Sequence, residues 1–417
     1  MVSAATGVSW AIAGLSTAAV ITRPMRWPEW VWAVLGAVLL VVLGLMPLRE
    51  AGSAVAKGLD VYLFLTGMML LSETAREHGA FDWIAATAVN AADGSSPKLF
   101  LLVYATGVVV TTFMSNDATA VVLTPAVFAA AKKAKADPLP LLFACALIAN
   151  AASFVLPISN PANLVLYGGQ MPPLGAWLRS FALPSIASIA VTFLVLRWLE
   201  RKRIEGNCAR DVARDALTTP GKLAIVGIVV TAALLLVVSA LDRELGLPTA
   251  IAGIATALIV SAAAKASPLR LARQVSWGVL PLVAGLFVLV EALDRTGVIA
   301  QVAAWLRAAS TDPVRAAAAS GTILAFVSNL MNNLPAGLVA ATAIQQAHPP
   351  QIVTDALLIG VDLGPNLSVT GSLATILWLQ VIRREGEDVS FTAFLKIGAV
   401  AMPLALLAAL GARLLLG

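Results

Sequence analysis

The stretch Ser328-Asn329-Leu330-Met331-Asn332-Asn333-Leu334-Pro335 lies between two apolar runs, each long enough to enter a lipid bilayer. Asparagine at bilayer depth is unfavourable unless its amide finds hydrogen-bond partners, and proline withholds a backbone donor. Non-helical backbone survives at that depth only where protein or a water-filled cavity surrounds it. An earlier stretch, Ser115-Asn116-Asp117-Ala118-Thr119, has the same character. The sequence therefore predicts two copies of one polar interruption within a hydrophobic frame.

Composition predicts an all-α polytopic membrane protein. The chain is 59% hydrophobic and only 12% charged, whereas soluble domains carry about 25% charged residues. Several runs approach the roughly 20 apolar residues that cross a bilayer, and they are continuous rather than alternating, as a membrane β-barrel would require. The net charge of +5 comes from basic residues in short loops. That distribution is an orientation signal in a lipid bilayer, so no nucleic-acid partner is expected.

The sequence contains no pattern typical of an enzyme or of a resident cofactor. Cys145 lies in an apolar helix and Cys208 in a charged loop, so a disulfide is not expected. Two thiols are also too few for a three-thiolate metalloid site or a four-thiolate zinc site. There is no P-loop, no HExxH pair and no nucleophile elbow. We therefore expect no cofactor, no metal site and no catalytic residues.

The second half of the chain repeats three landmarks of the first half in the same order: Glu73 to Gly79 and Glu291 to Gly297, Asn116-Asp117 and Asn332-Asn333, and Ser159-Asn160-Pro161 and Thr370-Gly371-Ser372. The members of these pairs lie 218, 216 and 211 residues apart. We therefore predict two repeats, residues 1–196 and 221–417, joined by a cytoplasmic linker, 197–220. The expected parts are scaffolds at 1–72 and 221–292, and a hairpin with a broken helix at 97–170 and 313–381.

Lysine and arginine predict how the chain is oriented. The basic loop 197–222 is placed in the cytoplasm. If each pair of apolar runs around an interruption is a re-entrant hairpin, the other basic loops fall on the same side. This arrangement gives ten transmembrane helices plus two re-entrant hairpins, both termini external, and two repeats of opposite topology in the cell inner membrane. Inverted repeats are the plan of secondary transporters, whose sites lie at broken helices near the midplane.

Four polar interruptions are expected to meet near that midplane, namely the two hairpin tips and the two unwound helix segments. Backbone N–H and C=O groups left free at half-helix ends then face a shared cavity. The expected solute-binding side chains are all hydroxyls and amides: Ser115, Asn116, Thr119, Ser159, Asn160, Asn163, Asn332, Asn333, Asn366, Thr370 and Ser372. They include no arginine or lysine. Such a cavity suits a small neutral polyol-like solute or a desolvated cation rather than a di- or tricarboxylate.

Two carboxylates are candidates for proton coupling. Asp117 falls in an apolar hairpin, where an ionised carboxylate is costly and where acids often relay protons. Its structural alternative is to cap the helix that follows the break. Asp362, just before Gly364-Pro365, is the second candidate, and its alternative is a satisfied carboxylate at a helix end.

Two stretches in the second half closely resemble the ArsB arsenite and antimonite efflux permeases of the ion transporter superfamily. They are Asn332-Asn333-Leu334-Pro335 and the segment from Asp362-Leu363-Gly364-Pro365-Asn366 through Gly371-Ser372-Leu373-Ala374-Thr375-Ile376-Leu377-Trp378-Leu379. The resemblance implies export of trivalent arsenic or antimony driven by the proton gradient, and some relatives also dock a soluble ATPase. Arsenite at neutral pH is an uncharged trihydroxide, which suits amides and hydroxyls. The alternatives are a sodium/proton antiporter of the same fold and a passive channel for neutral hydroxides.

Overall fold

A computed structural model describes residues 4–416, and within that range the chain is helical, without a β-strand. The first half contains α1 (Ala4–Thr22), α2 (Glu29–Val42), α3 (Leu48–Lys57), α4 (Leu59–Glu77), α5 (Ala80–Ala92), α6 (Ser96–Phe113), α7 (Thr124–Lys133), α8 (Pro138–Ala151), α9 (Pro161–Tyr167), α10 (Leu174–Leu199) and α11 (Arg201–Ile204). The second half contains α12 (Thr219–Ala240), α13 (Gly246–Ala263), α14 (Pro268–Gln274), α15 (Val279–Arg295), α16 (Val298–Ala309), α17 (Pro313–Met331), α18 (Asn333–Ala347), α19 (Gln351–Leu363), α20 (Leu373–Arg384) and α21 (Phe391–Leu415).

Membrane-spanning length is reached by 7 helices within residues 4–416: α1, α6, α10, α12, α13, α17 and α21. Two further pairs are long enough together but bent, α3 with α4 by 50° and α14 with α15 by 48°. Counting each bent pair as one span gives up to 9. The all-α, multi-pass class is therefore confirmed, and the count of ten spans stays a prediction.

The frame of the molecule is built from two helix crossings that exchange partners between the halves. Helix α4 packs against α13, and α15 packs against α2. Both crossings depend on glycine. A Cβ at Gly67 would lie 2.1 Å from the carbonyl oxygen of Thr249, and one at Gly285 would lie 2.7 Å from the carbonyl carbon of Ala33. Any side chain at either glycine would force the helices apart, since cores tolerate little overpacking.

The apolar run 29–48 predicts one helix by its length, but the helix that begins there is shorter. Helix α2 ends at Val42, and Gly44 takes a positive φ of 68°. Pro47 then precedes α3, a separate amphipathic helix that begins at Leu48. The next apolar run, 55–72, predicts a further helix, which forms as α4 and runs to Glu77. The expected single run was wrong because a left-handed glycine and a proline divide it.

The two hairpins break differently. In the first, the chain leaves helical geometry at Met114 and Ser115, and after Asp117 it forms a π-helical turn, Ala118–Leu123, that leads into α7. In the second, one residue makes the break, because Asn332 adopts φ 74° and ψ 153° between α17 and α18. That region of backbone space is essentially reserved for glycine and costs of order 1–3 kcal/mol elsewhere.

Two buried tryptophans, Trp177 on α10 and Trp378 on α20, hold the broken helices. The first consists of α8, a short turn at Pro157–Ser159 and α9, and the second of α19, a turn at Gly364–Leu367 and α20. Trp177 donates its indole N–H to the Phe154 carbonyl at 3.2 Å, and Trp378 donates to the Leu142 carbonyl at 3.0 Å. Both side chains are fully buried. Trp177 therefore ties α10 to the first broken helix, and Trp378 ties the second broken helix to the first.

Candidate functional site

The four interruptions meet at a narrow cleft, which we call the central cleft. It is lined by Leu65, Asn116, Asp117, Asn160, Pro161, Val279, Asn333, Leu334, Ser372, Leu373 and Ala374. Its volume is about 10 Å³, close to what a single water needs. Both hairpin tips and both broken helices contribute a polar side chain. The described residues that line it include no lysine or arginine.

On the first-half side, short hydrogen bonds fix the polar groups at the central cleft. The Asn116 side-chain oxygen accepts from the Asp117 backbone N–H at 2.9 Å. The Asn160 side-chain oxygen accepts from the Ala162 N–H at 3.0 Å and so caps α9. The Asn160 amide donates to Asp362 Oδ1 at 2.8 Å. Asn160 therefore separates Asp362, which is fully buried, from the cleft.

On the second-half side, the backbone of the hairpin tip is tied to the broken helix. The Asn333 N–H donates to the Gly371 carbonyl at 2.8 Å. Ser372 caps α20 by accepting from the Thr375 N–H at 3.1 Å. The Asn333 side-chain oxygen is buried and has no hydrogen-bond partner within residues 4–416. An unpaired acceptor at the cleft is a position at which a solute hydroxyl could donate.

Asp117 does not cap the helix that follows it. That role falls to Ser115, whose hydroxyl accepts from the Ala118 N–H at 3.2 Å. The Asp117 carboxylate makes no hydrogen bond or ion pair to any described residue. The structural alternative for Asp117 is thus not realised, and its carboxylate lines the cleft without a protein partner.

A larger cavity opens from the central cleft between α4 and α20. We call it the Arg384 cavity; it has a volume of about 250 Å³ and is lined by Leu65, Met68, Met69, Ser72, Glu73, Ser115, Asp117, Ala118, Val121, Val122, Pro161, Val275, Ser276, Val279, Leu377, Gln380, Val381 and Arg384. It shares four residues with the cleft, Asp117 among them. Asp117 therefore lies where the cleft joins the cavity. Arg384 was not foreseen in the sequence.

A second cavity, of about 640 Å³, lies toward the other end of α4 and includes Lys57, Asp60, Glu244, Glu291 and Asp294 in its lining. We call it the Asp60 cavity. Among the described residues, none lines both this cavity and the central cleft. The Arg384 cavity therefore adjoins the central cleft, and the Asp60 cavity is separated from it.

Four predicted site residues form hydrogen bonds within the protein and do not line the central cleft. Asn163 donates to the Ser153 carbonyl at 2.9 Å, and the Ser159 hydroxyl donates to the Thr112 carbonyl at 3.0 Å. The Thr119 hydroxyl pairs with Thr111 at 2.8 Å, and Asn366 accepts from the Asn150 amide at 3.0 Å. All four predicted side chains are buried. They hold the interrupted backbone rather than line the cleft.

Two more predicted residues secure the second tip. The Asn332 amide donates to the Thr370 carbonyl at 3.4 Å, and the Thr370 hydroxyl donates to the Asn329 carbonyl at 3.2 Å. Asn329, which is not among the predicted site residues, donates its amide to the Gly364 carbonyl at 3.0 Å. This network fastens the end of α17 to the second broken helix.

The structure also contains a buried charge cluster that sequence reasoning missed. Arg413 donates from Nε to Asp355 Oδ2 at 2.8 Å, and both side chains are almost entirely buried. The Tyr167 hydroxyl and the Gln351 amide each donate to Asp355 Oδ1 at 2.7 Å. Arginine near the end of the apolar run 391–416 was the available signal, because a charge there requires a partner.

Within residues 4–416, no group of three or more His, Cys, Asp or Glu side chains is placed to hold a metal ion.

Apolar spans, interrupted helices and a buried polar cleft define the chain as a multi-pass membrane transporter. Residues 17–363 match the CitMHS family, described as "Citrate transporter", and the chain belongs to this family. Because this is a family of transporters, the expectation that the chain is not an enzyme is confirmed.

Curated relatives and a solved structure agree with that assignment. The chain is 28% identical over 387 residues to the arsenical pump membrane protein of Escherichia coli strain K12, covering 88% of this chain and 89% of that one. It is 29% identical to the protein of the same name from Yersinia enterocolitica, covering 80% and 81%. The resemblance to the ArsB permeases is thus confirmed. The YdaH transporter of Alcanivorax borkumensis has a similar fold, with a TM-score of 0.58 at 16% identity over 93% of this chain and 96% of that one.

Proposed function

We propose that the chain is a secondary active transporter that exports trivalent arsenic, as arsenite, and also antimonite, in exchange for protons. The observation that carries the proposal is the central cleft, which joins amides and a hydroxyl to one free carboxylate and has no lysine or arginine in its described lining. An uncharged trihydroxide needs hydrogen-bond partners and no counter-charge. Relatives that cover most of the chain are named arsenical pump membrane protein, which supports arsenic as the cargo.

The proposed topology is ten spans and two re-entrant hairpins in two inverted repeats, in the cell inner membrane, with both termini external. The partner exchange of α4 with α13 and α15 with α2 supports it, since a two-fold related pair of halves produces such an exchange. The bent pairs α3–α4 and α14–α15 occupy equivalent places in the two halves. In this orientation the Arg384 cavity opens to the cytoplasm, where solute for export is captured.

In the proposed mechanism Asp117 couples the proton to the solute. Its protonated and ionised forms favour different conformations, so that an external proton enters, the solute leaves, and the proton is released inside. Asp362 is the second candidate, reached from the cleft through Asn160. Moving one charge through about 150 mV supplies roughly 3.5 kcal/mol. That energy sustains a solute gradient of roughly 300-fold before any pH difference is added.

Everted vesicles test this function directly. An imposed proton gradient, without ATP, should drive arsenite into the vesicles against its concentration, and an uncoupler should abolish the accumulation. Antimonite should behave in the same way. Accumulation that requires ATP and a soluble ATPase would assign the energy source to a partner, as the ArsB resemblance implies for some relatives. Equilibration without accumulation would favour a passive channel.

A second candidate substrate is a carboxylate anion, because the family carries the description "Citrate transporter" and Arg384, in the cavity that adjoins the cleft, has no ion-pair partner in residues 4–416. Citrate uptake in the same vesicles, with no effect of arsenite, would favour it. Sodium-dependent changes of a pH dye with no arsenite effect would favour a sodium/proton antiporter instead.

A further inference from the structure

One face of α20 connects the central cleft with the mouth of the Arg384 cavity. Leu373 lines the cleft, and Leu377, Gln380 and Arg384 line the cavity. These positions are four, seven and eleven residues along the helix from Leu373, which places them on one face. Gln380 therefore lies about 10 Å along the helix axis from the cleft.

Gln380 presents a donor for which the protein supplies no acceptor. Its Nε2 atom is buried and has no hydrogen-bond partner among the described residues. A buried amide without a partner destabilises the protein unless water or solute accepts from it. Two hydroxyls, Ser72 and Ser276, line the same cavity from α4 and from the segment before α15. Gln380 on α20 and Ser72 on α4 thus place polar groups on two sides of this cavity, which we call the outer position.

We propose that the transported solute binds first at this outer position, where Gln380 donates to one of its oxygens, before it reaches Asp117. The proposal rests on the proposed function for the identity of the solute, a small neutral hydroxide. The cavity is large enough for a small solute with accompanying water. Since Gln380 acts before the coupling step, it governs capture of the solute rather than the number of protons exchanged.

The test compares Gln380→Leu with the wild type in everted vesicles, across a range of arsenite concentrations. Losing one hydrogen bond to the solute should raise the half-saturation concentration about fivefold, with the maximal rate unchanged. Gln301→Leu is the matched control, because Gln301 lies exposed on α16 and its loss should leave both parameters unchanged. Arg384→Gln should have little effect on a neutral solute and a large effect on an anion.

Failure of this inference can be told apart from failure of the proposed function. If the wild type accumulates citrate and not arsenite, the proposed function is wrong. The outer position is then tested by comparing the half-saturation concentrations of Gln380→Leu and the wild type for citrate. A half-saturation concentration in Gln380→Leu equal to that of the wild type, for the solute that the wild type carries, would overturn the outer position. An independent measurement uses Gln380→Cys in a background with Cys145→Ala and Cys208→Ser. The thiol should react with a membrane-impermeant reagent only from the face that carries loop 197–220, and no reaction from that face would also overturn it.

Discussion

The two hairpin tips occupy equivalent places in the chain but are built differently. In the first tip, Ser115 caps the helix after the break, so the neighbouring carboxylate of Asp117 keeps no protein partner. In the second tip, Asn332 both turns the backbone and caps α18, since its side-chain oxygen accepts from the Leu334 N–H at 3.3 Å. The residue in the position of Asp117 is Asn333, a neutral amide. One tip can therefore exchange a proton, and the other can offer only hydrogen bonds.

The tips also differ in how firmly they are attached. The Asn333 N–H and the Asn332 amide both donate to the segment Thr370–Gly371 of the second broken helix. Helix α19, which leads into that segment, is further anchored by the Asp355–Arg413 pair. Helix α8, its counterpart in the first half, contains no charged residue. We infer that the second half supplies a rigid solute-binding surface, whereas the first half supplies the group that changes charge.

Asp117→Asn should have the largest effect, because it makes the first tip as neutral as the second. Without a titrating group, an imposed proton gradient can no longer drive accumulation, so the expected arsenite ratio falls from roughly 300-fold to about one. The measurement is arsenite accumulation in everted vesicles. Full proton-driven accumulation by this variant would show that Asp117 is not the coupling group, and Asp362→Asn would then be examined.

Arg413→Met tests the firm attachment of the second half. The substitution leaves Asp355 buried without its cationic partner, which should lower the free energy of unfolding by about 3–5 kcal/mol. The double variant Arg413→Met, Asp355→Leu should recover most of that loss, since replacing a buried pair by apolar groups is often close to neutral. Unfolding in detergent measures the free energy of unfolding of the single and the double variant.

The matched control is Arg315→Met, which removes an exposed pair with Asp312. Surface pairs contribute about 0–1 kcal/mol, so the control should unfold almost like the wild type. If Arg413→Met also unfolds almost like the wild type, the buried pair does not anchor α19. The inferred difference in rigidity between the halves then loses its main support.

Much of this comparison could be predicted from sequence, because it depends on residue types that lipid excludes. Amides and a carboxylate inside apolar runs located both tips and both broken helices, and five of the predicted residues meet at the central cleft. Within one motif, however, the sequence could not separate Asn160, which reaches the cleft, from Asn163, which turns inward to backbone carbonyls. Unwound backbone has no periodicity from which to assign a face.

The remaining differences arise from tertiary structure. Asp355 and Arg413 are 58 residues apart and pair only because α19 and α21 pack together. Helix α20 continues to Arg384 rather than ending near 381, and that extra length places Arg384 on the same face as Gln380. Neither fact follows from local pattern, because helix ends and helix neighbours are decided by packing.

Asn332→Ala separates the two roles that Asn332 combines in the second tip. Alanine cannot adopt φ 74° and ψ 153° without strain, and it also removes the cap, so unfolding free energy should fall by about 2–4 kcal/mol. Asn332→Gly relieves the backbone and should lose only a few tenths of a kcal/mol. Equal losses in the two variants would mean that backbone geometry at Asn332 is not what the second tip depends on.

Ser115→Ala should have the smallest effect on stability, because in the first tip the cap and the carboxylate belong to different residues. Loss of the bond from the Ala118 N–H should cost about 1 kcal/mol. Ser95→Ala is a matched control, since Ser95 caps the start of α6 by accepting from the Lys98 N–H at 3.4 Å. Both variants should unfold alike, but only Ser115→Ala should slow arsenite accumulation, because only that cap positions Asp117. A steady-state ratio that stayed near the wild-type value would show that Ser115 sets the rate and Asp117 the coupling. A ratio as low as that of Asp117→Asn would instead place Ser115 in the coupling machinery itself and remove the division of roles within the first tip.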